Sequence, residues 1–196
     1  MSTATPPTKK LFLNGVLIGE VPATGDTKKD AEIARAYIES KGLHKEVTLV
    51  QSMFRQALAF ASTSAYLYER DLANVPRNGL SAAPFVVNIA FAIELYLKTL
   101  GQVHGATLKG HDLLKLFDAL PAAAHAAIDA AAPAATAQSV LDGQPTVREC
   151  LAQLNGVFVE WRYLYEKSDS KEVKIQHAIF VGRVLHDACV ASIHGR

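Results

Sequence analysis

An excess of charge of either sign is missing from this chain. Its 196 residues carry 20 Lys and Arg against 19 Asp and Glu, a net of +1. That balance provides no field to gather nucleic acid or membrane in bulk, so any such partner has to be held by a local patch. Cysteine is nearly absent. Cys150 and Cys189 sit in apolar helical patterns with no zinc or redox spacing, and read as small core residues in a reducing compartment. The opening MSTATPPTKK has no apolar segment, so no secretory leader is expected and the expected location is cytoplasmic. Enzyme signatures are missing too: there is no GxGxxG, Walker A, HExxH or GxSxG. His44, His104, His111, His125, His177, His186 and His194 do not pair with Cys or carboxylates at ligand spacing, so no metal and no cofactor is expected. No repeat recurs at a fixed period.

What is abundant is apolar surface, 49% of the chain, enough for one domain with a sizeable core. It concentrates in Pro84–Gly101, PFVVNIAFAIELYLKTLG. Glu94 and Lys98 inside this run argue against a membrane span. A helix this apolar belongs in the middle of a bundle, opened by Pro84 and closed by Gly101. Glu94 is then buried and needs a partner, for which Arg162 is the best candidate. Lys98, at i+4 from Glu94, supports the helix.

The rest of the chain is organised around that helix. Residues 1–9 read as a disordered tail, residues 10–43 as a hairpin plus helix, and residues 44–196 as the bundle. In KLFLNGVLIGEV, Asn14-Gly15 signals a type I′ hairpin, with Leu11, Leu13, Val16 and Ile18 on one face and Phe12 and Leu17 on the other. Apolar on both faces, it has to pack on the body or on a partner chain. A helix capped by Asp26 or Thr27 and ended by Gly42 carries the stripe Ile33, Ala34, Tyr37, Ile38. A long helix from Lys45 to Asn74 follows, then a turn at Pro76, Asn78 and Gly79. HDLLKLFDALP predicts a short helix with Asp112 in its cap or first turn. The alanine-rich PAAAHAAIDAAAPAATAQ is a plausible helix with few large anchors, expected to be mobile and poorly packed. Further helices are expected over Val147–Lys167 and Val173–Ile193.

Several residues are candidates for chemistry. Glu94 and Arg162 form either a structural ion pair or a guanidinium held by a carboxylate to bind phosphate bidentately. The structural reading is preferred. His111 reads first as a packing or capping residue, second as a nucleotide or RNA contact. Tyr163 and Tyr165 flank Arg162 and can stack bases, although aromatics at this spacing are more often core. Lys9, Lys10, Lys28, Lys29, Lys41 and Lys45 give the N-terminal segment a basic bias, which reads first as a solvated face and second as a surface for an acidic partner.

Three segments on successive helices, AFAIELYLKTL, GHDLLKLFDAL and WRYLYEK, resemble the HEPN superfamily (higher eukaryotes and prokaryotes nucleotide-binding). The resemblance spans Phe54 to Ile193. It implies an antiparallel four-to-five-helix bundle, mainly α, often a homodimer across its final helices. Many members of that family are ribonucleases in toxin–antitoxin, phage-defence or RNA-processing systems, and others only bind nucleotides or RNA. By resemblance, Glu94 stands at the acidic position of the central helix and Arg162 at the motif arginine. Catalytic members carry Arg, four to six residues, then His. Here Tyr163 to Asp169 follow Arg162 without a His. Arg162 alone can stabilise negative charge but cannot shuttle protons at neutral pH. The expected function is therefore non-catalytic binding of RNA, a nucleotide or a protein partner, the last through the N-terminal hairpin. The alternatives are a metal-independent ribonuclease using His111 or Glu166, and a purely structural interaction module.

Overall fold

The structure, a computed structural model, describes residues 7–44, 46–139, 141, 143–163 and 172–195, apart from the side chains of residues 158, 159 and 162. It is mainly helical, with a two-stranded antiparallel hairpin near the N-terminus. The chain divides into two compact units, Met1–Val47 and Thr48–Arg196.

In the first unit, β1 (Thr8–Leu13) and β2 (Val16–Pro22) are joined by Asn14 and Gly15 at φ 50° and 79°, the pair of positive values a type I′ turn requires. β1 begins inside the segment expected to be a tail. Leu13 pairs with Val16 and Phe12 with Leu17, but Leu11 pairs with Gly19. Ile18 is thus an extra, bulged residue without a partner in the register; it is half-buried like Leu11 and Leu13, while Phe12 and Leu17 are exposed. Gly19 stands where Tyr37 of α1 (Thr27–Ser40) closes over the bulge: a Cβ there would lie 2.0 Å from the Tyr37 hydroxyl, which donates to the Ile18 carbonyl at 3.1 Å. Asp26 caps α1 by accepting from Lys28 and Lys29.

The second unit is built on α3 (Ala82–Val103), most of whose residues are buried. Beside it run α2 (Leu49–Leu67), which continues as a π-turn over Tyr68–Leu72, and α8 (Ile175–His194). Thr48 and Gln51 form a reciprocal cap that starts α2 at Leu49, later than the expected Lys45, itself outside the described residues. α3 differs from expectation at both ends. A 3-10 turn (Gly79–Ser81) feeds it at Ala82, so Pro84 lies inside the first turn rather than at its first position. It also runs through Gly101 to Val103. Gly101 is needed there for space, not as a stop: a Cβ would meet Leu108 Cγ at 2.8 Å where the following loop folds back.

α4 (Leu113–Asp118) packs against α3 and α6 (Val147–Leu154). α5 (Ala122–Ala137), the alanine-rich segment, is an ordered helix packed on α8, with Ala124, Ile128 and Ala135 buried. The expectation of poor packing fails because methyl side chains let two helix backbones approach closely. The helix expected over Val147–Lys167 is broken: Gly156 takes φ 81° and the chain restarts as α7 (Val157–Arg162), which packs against α3. α3 is long and apolar enough to cross a membrane by length and composition, and 61% of its most apolar window is buried inside the fold.

Candidate functional site

Glu94 projects from the middle of α3 and is buried, with 3% of its side chain exposed. A buried carboxylate is kept ionised only by partners. Two are present. Lys98, one turn on, donates from Nζ to Glu94 Oε1 at 2.7 Å. His111 places Nδ1 at 3.0 Å from Oε1 and 3.1 Å from Oε2 of the same carboxylate. An ionised carboxylate only accepts, so Nδ1 carries the proton and Nε2 is left as the outward ring nitrogen.

The position of His111 is set by its neighbours. Gly110, at φ 93°, turns the chain into it, and Asp112 then caps α4 by accepting from the Lys115 N–H at 3.0 Å. That N–H, with the Lys115 ammonium and the Asn155 amide adding to it, holds the Asp112 carboxyl below the usual range. Asn155 Oδ1 accepts the Leu113 N–H at 2.9 Å. The break between α6 and α7 is therefore tied to the start of α4, beside His111. The His111 ring is 70% exposed while its carboxylate is buried, so one imidazole spans from core to solvent.

Of the residues singled out in the sequence, the structure brings Glu94, Lys98 and His111 together. His111, read first as a packing or capping residue, makes a hydrogen bond to Glu94. Arg162 ends α7, on a helix packed against α3, but its side chain lies outside the described residues, and so does Tyr165. Tyr163 is exposed just beyond α7. Among the described residues no group of three or more His, Cys, Asp or Glu is placed to hold a metal ion.

Sequence reasoning missed the Glu94–His111 bond and the Asn155 tie. The first joins residues seventeen apart across a loop, and no local spacing encodes it. The second had one readable signal, the Asn155-Gly156 pair inside an otherwise helical pattern. No protein-family model, no curated protein and no solved structure matches this chain.

Proposed function

We propose that the helical unit is a HEPN-like antiparallel bundle that binds RNA or a nucleotide through its phosphates. The His111 ring in its doubly protonated form, with Nε2–H outward, would line the binding face with Lys98 and Arg162. The observation that supports this reading is the hydrogen bond between Glu94 and His111, because it joins two of the three segments that carry the resemblance. Glu94 orients the imidazole and offsets part of the local positive charge, which suits a phosphate held at one geometry rather than a polyanion held by bulk charge.

The same bond favours a second reading, a metal-independent ribonuclease. A carboxylate that fixes the protonated Nδ1 leaves Nε2 able to accept a proton. His111 would take the proton of an RNA 2′-hydroxyl, the 2′-oxygen would attack phosphorus, and the departing 5′-oxygen would be protonated by water. The products would be a 2′,3′-cyclic phosphate and a 5′-hydroxyl end. This route uses a histidine outside the Arg-x4-6-His pattern.

The test is titration of end-labelled single-stranded RNA with wild type, His111→Ala and Arg162→Ala in chelator at low salt. Saturable binding by wild type, weakened about tenfold in each variant, is the result expected. Absence of binding would sink the ribonuclease and leave no RNA-binding reading standing. Cleavage by wild type that His111→Ala lacks would select the second.

A further inference from the structure

A cleft of about 530 Å³ opens between α2, α3 and α8, away from Glu94 and His111. Its volume falls in the range of small-molecule sites, roughly 300–1,000 Å³. The floor is apolar, from Ala61, Ala65, Phe85 and Ile89. Gly182 of α8 also lines it, and a Cβ there would meet Ile89 Cδ1 at 3.0 Å. A larger residue would therefore press Ile89 and fill the floor.

The polar groups of the cleft are not spread evenly. Arg183 and His186 lie three residues apart on α8, hence on one face. The His186 ring meets Tyr96 edge-on at 5.9 Å between centroids, which places Tyr96 at this end. Tyr96 is wholly buried, and its hydroxyl has no hydrogen-bond partner among the described residues. Such an orphan costs stability unless something supplies an acceptor. Arg183 has five N–H donors but a single contact among the described residues, to the Gln138 carbonyl at 3.3 Å. His186 is hydrogen-bonded to Asp187 at 2.9 Å, and the standing cation at this end is the Arg183 guanidinium, which no carboxylate contacts among the described residues. The opposite end carries Glu69 and is marked by the Gln176–Tyr68 hydrogen bond at 2.8 Å. Arg183 lies seven positions beyond Gln176 on α8, about 10 Å along the helix.

We propose that this cleft is a binding site for a small amphipathic carboxylate, with its apolar body on the Phe85–Ile89 floor and its carboxylate between Arg183 and the Tyr96 hydroxyl. Three observations set that chemistry: a cation short of partners, a buried donor without an acceptor, and an apolar floor leading away from both. A cationic ligand would meet Arg183 at the head-group end. A wholly apolar one would leave Tyr96 unsatisfied.

The probe is octanoate, followed by calorimetry, with octan-1-ol and octyltrimethylammonium as uncharged and cationic matches. Octanoate is expected to bind one to one, at least about tenfold more tightly than octan-1-ol, as a charge-assisted hydrogen bond implies. Arg183→Ala should reduce octanoate to the affinity of octan-1-ol without changing octan-1-ol itself. Tyr96→Phe should weaken octanoate binding yet raise the Tm of the unliganded protein by about 2–4 °C, because it deletes an orphan hydroxyl. A purely structural role for Tyr96 does not give those opposite signs. Equal affinity for octanoate and octan-1-ol, or octanoate binding unchanged in folded Arg183→Ala, would overturn the proposal. So would a dimer in sedimentation whose formation octanoate does not oppose and which abolishes its binding, since a second copy would then own the cleft.

Discussion

Asn155 Oδ1 accepts the backbone N–H of Leu113 at 2.9 Å, across forty-two residues of chain. One side-chain amide therefore does two jobs. It closes the first turn of α4, where Asp112 accepts the Lys115 N–H, and it occupies the residue at which α6 ends. Asn155→Ala should leave the Leu113 N–H unsatisfied and destabilise the second unit by about 1–2 kcal/mol. Urea unfolding would measure this. Because His111 precedes the freed turn, its imidazole resonances should also shift and broaden by NMR. A variant as stable as wild type with an unmoved His111 would show the tie to be incidental.

Removing the negative charge under His111 should cost more. Glu94→Gln keeps the shape but leaves the half-buried Lys98 ammonium without its carboxylate, for a loss of about 2–3 kcal/mol. Lys98→Met in the same chain should recover part of that loss, since the double variant no longer buries a lone cation. A double-mutant cycle with no coupling between positions 94 and 98 would contradict the ion pair.

The two thiols should be inert in the folded protein. Burial pushes the Cys150 thiol up to about 11 and raises Cys189 further still. Thiolate is the reactive form, so a thiol-specific disulfide reagent at neutral pH should modify neither until the chain is unfolded by guanidinium. Stoichiometric labelling of the native protein would contradict this packing.

Acid should loosen the turn after α2. Arg70, then Ser81, bond to Asp71 and hold its carboxyl at about 2, against an ordinary value of 3.8. A carboxyl lowered by folding contributes stability that is complete above its unfolded value and lost as pH falls through the folded one. Stability should therefore decline from about pH 4 toward about pH 2, and Asp71→Asn should flatten that part of the profile. Asp30, held at about 2 by Lys9 and Thr24, should give the first unit the same dependence. A Tm independent of pH across that window would refute both assignments.

Comparison of sequence and structure shows where local pattern suffices. Asn14-Gly15 specified its turn because few residue pairs accept positive φ twice. The apolar run at α3 specified a central helix, and its i,i+4 pair, Glu94 and Lys98, formed as spaced. What the sequence left hidden was set by tertiary contact. Gly101 looks like a helix stop, yet Leu108 folding back over it gives the glycine a different purpose. The alanines of α5 look too small to anchor a helix until α8 lies against them. At the site, burial of Glu94 was legible from its apolar neighbours. Its His111 partner was not, because a loop with its own geometry carries the imidazole there.

The bulge at Ile18 has a consequence for how the hairpin can change over time. Leu17 and Val21 are four residues apart and would share a face of a regular strand, yet Leu17 is 51% exposed and Val21 5%. The extra residue reverses the alternation between them. A point substitution in this stretch alters one side chain, and loss of the one bulged residue would leave Leu17 and Val21 three apart, on opposite faces of a plain strand, with Val21 still turned inward. Drift here should therefore tolerate loss of the extra residue, whereas the same length of chain paired without a bulge would turn Val21 outward.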